Sequence, residues 1–204
     1  SIAYAEDMLS VGKNMPEVRP TVVVGVPRLF EKVYAAVMDN VLASSPLKRK
    51  IFFWATKVGR EFGQRTLRGE SIPKSLEFKR KIAHKLVFSK IIAKTGGRIR
   101  YFITGAAPLS KDIAELFYAM GLIVLEGYGL TEVGPNNFLA NGKPGTLGQP
   151  MPHVDVKIVD SRGNEVPVGE EGEIYLRGPH TCAGYWNKPE ETANAFGDGW
   201  FKTG

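Results

Sequence analysis

One cysteine, three histidines and no long apolar run set the first limits on this chain. Cys182 alone forms no intrachain disulfide, which fits a reducing, cytoplasmic setting. It is read as incidental and not as a nucleophile. No stretch reaches the run of apolar residues needed to span a bilayer. The segment from Ser1 to Asp7 carries neither the basic nor the apolar region of a signal peptide. Internal repeats and low-complexity tracts are lacking too. With 43% hydrophobic and 24% charged residues among 204, the composition excludes intrinsic disorder and suffices for one or two packed domains.

The net charge of +6 conceals a basic block, with 16 Lys/Arg against 3 Asp/Glu between Lys48 and Arg100. Such a block meets anionic lipid, nucleic acid or an acidic partner. Its cations are interleaved with Ile51, Trp54, Val58, Phe62, Ile82, Leu86 and Ile91 at helical spacing. That pattern favours amphipathic helices with solvated basic faces and apolar sides in a core. Peripheral contact with a membrane surface is the rival reading.

Periodicity divides the chain into two textures. Thr21–Val26 is a β-branched run, predicted as a buried strand. Helices are predicted over 28–42, 47–67 and 75–94, the first with a stripe of Leu29, Val33, Val37 and Val41. A strand over 98–104, a helix capped by Ser110 and closed by Gly121, and a strand over 122–125 make a βαβ unit. That unit calls for a parallel sheet, whose ligands bind at the carboxyl ends of the strands. After Asn136 the chain turns rich in Gly and Pro, and strands are predicted around 154–159 and 173–177. The expected architecture is α/β. A parallel sheet with flanking helices, residues 1–137, is followed by a small antiparallel β sheet or barrel, residues 138–204.

Two loops leave the ligand edge of the predicted parallel sheet. In Glu126-Gly127-Tyr128-Gly129-Leu130-Thr131-Glu132, the glycines let backbone approach a flat ligand and Tyr128 offers a ring. The Thr131 hydroxyl suits a phosphate oxygen. Glu132 repels a bare phosphate, so it implies a bridging hard cation such as nucleotide-bound Mg²⁺. A dinucleotide fingerprint fails, because Glu132 stands where the third glycine belongs and Gly134-Pro135 interrupts any following helix. The alternative is a tight connector that binds nothing. The second loop, Gly105-Ala106-Ala107-Pro108, offers a wall of small residues beside a helix N-terminus that favours an anion.

The two loops in this order resemble the adenylate-forming (AMP-binding) superfamily of acyl-CoA synthetases, peptide-synthetase adenylation domains and luciferases. Gly172-Glu173-Ile174, Gly184-Tyr185-Trp186-Asn187-Lys188-Pro189-Glu190-Glu191-Thr192 and Asp198-Gly199-Trp200-Phe201-Lys202-Thr203-Gly204 extend the resemblance along the chain. Val26-Pro27-Arg28-Leu29-Phe30-Glu31-Lys32 and the basic stretch resemble the long-chain fatty acyl-CoA synthetase branch.

The resemblance implies a set of roles. Gly105, Ala106 and Ala107 line adenine, Glu126 and Gly127 meet the base edge, and Tyr128 stacks on the base. The backbone from Gly127 through Gly129 to Leu130 also borders the acyl carboxylate. Thr131 binds the α-phosphate, and Glu132 holds Mg²⁺. These last two are the expected catalytic residues. Implied ligands are ATP or AMP, Mg²⁺, CoA and a fatty acid, with no nucleic acid. The reaction is formation of an acyl-adenylate, then transfer of the acyl group to CoA.

The family's phosphate loop, its ribose-binding aspartate and its C-terminal domain are expected outside this chain. Residues 1–204 are therefore expected to be an internal fragment, inactive alone. An aryl-CoA ligase, an adenylation domain and a non-catalytic nucleotide- or lipid-binding module are the alternatives. Three residues depart from the family pattern: Ala106 and His153 stand where glycine is frequent, and Val133 stands where a hydroxyl or small residue is frequent.

Overall fold

The computed structural model describes residues 2–134, 138–139 and 143–204. Pro135, Asn136 and Asn141, which punctuate the sequence, lie outside the described residues. The chain forms two compact units, Ser1–Glu126 with Gly142–Thr146, and Gly127–Asn141 with Leu147–Gly204. Contacts thus group Gly127 onward with the β-rich unit, where the sequence reading carried the α/β region on to residue 137.

The first unit holds α1 (Val11–Val18), β1 (Val22–Gly25), α2 (Pro27–Leu42), α3 (Pro46–Leu67), α4 (Lys74–Ala83), a π-helical turn (His84–Phe88), α5 (Ser89–Lys94), β2 (Tyr101–Thr104), α6 (Lys111–Met120) and β3 (Ile123–Glu126). Pro27 and Pro46 sit at the first turns of α2 and α3, where a missing N–H costs nothing. Gly121 closes α6 in the left-handed region at φ 88°. The strands pair in parallel in the order β1-β2-β3. Register places Gly25, Thr104 and Glu126 side by side, so all three strands end at one level.

One face of this sheet, carrying Phe102 and Val124, is buried against the helices. Phe30, Phe102 and Phe117 meet edge to face with centroids 5.5, 5.8 and 5.6 Å apart. Each such pair contributes about 0.5–1.5 kcal/mol beyond the area it buries. The β1 run is not the buried strand its composition predicts, for Val22 and Val24 are 44% and 75% exposed. It is an edge strand, and only Val23 turns to the core. Helices α3 and α6 touch closely because Gly59 and Gly63 lack a side chain. A Cβ on Gly59 falls 2.5 Å from the Ala119 carbonyl oxygen, and one on Gly63 falls 2.7 Å from the Tyr118 ring.

The basic block is helical as expected, and Phe52, Ala55, Val58, Leu76, Ala83 and Phe88 are buried. Two of its apolar residues depart from the expectation, since Trp54 and Leu86 are exposed, as are Leu47, Phe53 and Phe78. Spacing marks a helical face and does not say whether another element covers it. No described helix is long and apolar enough to cross a membrane.

The second unit holds the short antiparallel pair β4 (Phe138–Leu139) and β5 (Gln149–Pro150). It also holds the antiparallel sheet of β6 (Asp155–Val159), β7 (Glu173–Arg177), β8 (Phe196–Gly197) and β9 (Trp200–Lys202), with α7 (Pro189–Ala195) before β8. Asp198-Gly199, both at positive φ, is the tight turn of the β8–β9 hairpin. Leu176 and Phe201 point from the sheet into a core with Val133 and Phe138. The α/β class with an added small antiparallel sheet is as the sequence indicated.

Candidate functional site

In the first unit the candidate residues gather where β2 and β3 end. Gly105 is half-buried, and Ala106 and Ala107 are exposed, so backbone at this edge is open to a ligand. Ala106 lies at φ 69°, a left-handed conformation that costs a residue with a Cβ about 1–2 kcal/mol. The glycine frequent at this position in the resembled family thus has a local conformational reason. Glu126, half-buried, ties the edge together. Its Oε2 accepts the Leu109 N–H at 3.4 Å, and its Oε1 accepts the Gly145 N–H at 3.3 Å. Beside it in register, the Thr104 hydroxyl is buried and makes no hydrogen bond among the described residues. An orphaned buried hydroxyl costs about 1–3 kcal/mol unless something pairs it. In sequence Thr104 ends a strand and heads the second loop, with no role of its own.

In the second unit, Gly127 to Leu130 are half-buried, and the chain turns at Thr131-Glu132-Val133. The Leu130 N–H to the Gly134 carbonyl, 3.1 Å, and the Val133 N–H to the Leu130 carbonyl, 3.2 Å, close the turn. The buried Val133 side chain anchors it to the core. Tyr128 packs edge to face on Phe138 with centroids 5.7 Å apart, which fixes its ring plane. Thr131 is exposed and its hydroxyl makes no hydrogen bond among the described residues, so it is available to an incoming acceptor.

Glu132 is held at two points. Its carbonyl oxygen accepts the Cys182 N–H at 2.7 Å, and its Oε1 accepts the Tyr185 phenol at 2.7 Å. The carboxylate holds the Tyr185 proton and pushes that phenol above its ordinary range, with desolvation adding to the effect. Tyr185 is fixed in turn, for its N–H donates to Thr192 Oγ1 at 2.9 Å and its ring meets Phe196 at 5.8 Å. Gly184 permits this, because a Cβ there falls 2.5 Å from Thr192 Cγ2. The run from Gly184 to Thr192 therefore serves as the brace of Glu132. Sequence alone showed that run as a motif without a task, since nothing in spacing reveals a contact 53 residues away.

No group of three or more His, Cys, Asp or Glu side chains able to hold a metal occurs among the described residues. Glu132 as a single oriented carboxylate fits a Mg²⁺ that brings its other ligands from phosphate and water. His153 is exposed at φ 67°, again a backbone suited to glycine, and lies on the loop before β6. Cys182 is exposed and unbridged.

The family described as AMP-binding enzyme matches residues 5–186. A protein of Mycobacterium bovis named Long-chain-fatty-acid--CoA ligase FadD15 is 33% identical over 207 aligned residues, covering 100% of this chain and 32% of that protein. Long-chain-fatty-acid--CoA ligase 2 of Schizosaccharomyces pombe is 32% identical, covering 94% of this chain and 28% of its own length. Among solved structures, ATP-bound MatB from Rhodopseudomonas palustris superposes with a TM-score of 0.61 at 28% identity, over 100% of this chain and 31% of that one. The chain spans about a third of the length of the relatives it matches.

Proposed function

Because the chain belongs to the AMP-binding enzyme family, we propose that it is part of an ATP-dependent ligase that joins long-chain fatty acids to CoA. The observation that carries this reading is the match over the whole chain to a protein named as such a ligase. The fatty carboxylate attacks the α-phosphorus of ATP, giving acyl-AMP and pyrophosphate, and the CoA thiol then displaces AMP. The first step requires an anion to approach a polyanion, so alignment and charge neutralisation supply most of the catalysis.

Each residue has a task in this reading. The backbone of Gly105, Ala106 and Ala107 receives the adenine, and Glu126 and Gly127 meet its edge. Tyr128 lies against the base, and the backbone through Gly129 borders the acyl carboxylate. The unpaired Thr131 hydroxyl donates to the α-phosphate. Glu132, braced by Tyr185, orients Mg²⁺, which neutralises the phosphates when bound. The protein is cytoplasmic in this reading, and the exposed Leu47, Phe78 and Leu86 among the lysines of the basic block touch a lipid surface.

The test is acid-dependent pyrophosphate exchange by the full-length protein, with palmitate, benzoate and an amino acid in parallel. Palmitate is expected to support exchange best. Thr131→Ala and Glu132→Gln are each expected to lower it about 10²–10³-fold. Residues 1–204 alone are expected to give no acyl-CoA. Exchange with benzoate or the amino acid alone, or none with any acid, overturns the reading.

A further inference from the structure

A cleft of about 250 Å³ opens in the first unit between the end of α3, the face of α6 and the turn at Lys143-Pro144. Four cationic side chains line it, Arg60, Arg68, Lys111 and Lys143, against the single carboxylate of Glu115. Glu115 forms an ion pair with Arg60, its Oε2 3.9 Å from Arg60 Nε and beyond hydrogen-bond reach, which leaves the other three cations in excess along the lining. Arg60 Nε is buried with no hydrogen-bond partner among the described residues. A guanidinium donor held out of water without an acceptor is a cost that a bound oxyanion removes. Lys111 makes no hydrogen bond or ion pair among the described residues, and Arg68 is paired with Glu70 at 3.5 Å. Tyr118 also lines the cleft, and burial pushes its phenol up, keeping it a donor.

The cleft is built into the packing. Gly59 and Gly63 bring α3 against α6, which seats the Tyr118 ring over Gly63. The turn at 143–146 is held by Thr146 Oγ1 donating to the Lys143 carbonyl at 3.0 Å and by the Gly145 N–H on Glu126. The residues proposed above for adenine, phosphate and Mg²⁺ do not line it.

We propose that this cleft binds phosphate groups of a second ligand, distinct from the ATP of the adenylation step. Its cations are spread around the hollow, and Arg with its planar fork suits phosphate oxygens. Within the proposed reaction, on which only the naming of the source rests, two such ligands exist. One is the phosphorylated nucleotide end of CoA, and the other is released pyrophosphate.

The test is calorimetric titration of the full-length protein with CoA, dephospho-CoA and inorganic pyrophosphate, for the parent and for R68Q/K111Q. Both substituted side chains are exposed, so the fold is expected to survive, and equal thermal midpoints check this. CoA binding is expected to weaken roughly tenfold or more in the variant, from the loss of charge-assisted contacts. Dephospho-CoA is expected to bind more weakly and to respond less, and palmitate-dependent pyrophosphate exchange to stay unchanged. Weakened pyrophosphate binding with CoA unaffected assigns the cleft to pyrophosphate and upholds the phosphate site. Unchanged binding of all three probes overturns it. Because binding is read apart from exchange, failure of this site and failure of the ligase reading give different results.

Discussion

The Tyr185 phenol donates a 2.7 Å hydrogen bond to Glu132 Oε1, so the carboxylate proposed for magnesium has its orientation set by a residue from a distant motif. Tyr185→Phe removes that donor and leaves the ring on Phe196. We expect the Mg²⁺ concentration for half-maximal pyrophosphate exchange to rise about tenfold, as for other partners that orient a ligand. Stability is expected to change by no more than about 1.5 kcal/mol. A magnesium titration of the full-length protein beside a urea melt reads both.

The same bond has a pH signature. Tyr185 is raised above the ordinary 10.0 because Glu132 binds its protonated form. Its hydrogen bond is therefore intact below pH 10 and is lost as pH rises through the higher folded value. The tyrosinate absorbance of the parent minus that of Tyr185→Phe is expected to titrate with a midpoint above pH 10. A difference titrating at or below 10 would show that the bond does not form in solution.

Ala106 and His153 occupy left-handed backbone at φ 69° and 67°. Ala106→Gly and His153→Gly each relieve Cβ strain, partly offset by the entropy of a freer unfolded chain. A gain of about 0.5–1 kcal/mol is expected for each in denaturant melts. Loss of stability in either would show that the left-handed conformation carries no Cβ strain at that residue.

Gly59 and Gly12 make an opposed pair. Gly59→Ala drives a methyl to within 2.5 Å of the Ala119 carbonyl and is expected to cost about 1–3 kcal/mol by forcing α3 from α6. Gly12→Ala, in α1 with nothing within 4 Å, is expected to gain about 0.5–1 kcal/mol from helix propensity. Equal effects in thermal melts would refute the close α3–α6 packing.

Thr104 keeps a buried hydroxyl with no partner among the described residues. Thr104→Val is expected to stabilise the ligand-free protein by about 1 kcal/mol, since the desolvation cost of an unpaired group disappears. Destabilisation on the same scale would reveal an acceptor for that hydroxyl.

Local order in the sequence was sufficient for the helices from α2 to α6, the parallel βαβ unit and the strands β6 and β7. Apolar spacing, Ser110, Gly121 and the prolines act within a few residues of where they stand. The same local order marked the segment from Glu126 to Glu132 as the one with chemistry in it. The Asp198-Gly199 pair also announced a hairpin, although its motif resemblance drew attention from it. What only the tertiary structure decided is which groups meet. It uncovered Val24, Trp54 and Leu86, because burial depends on a neighbour that spacing does not name. It gave the Gly184–Thr192 run its task through Tyr185 and Glu132, and it drew Arg60, Arg68, Lys111 and Lys143 around one hollow. Hydrogen bonds and charge clusters join residues tens of positions apart, and their geometry exists only once α3, α6 and the turns have packed.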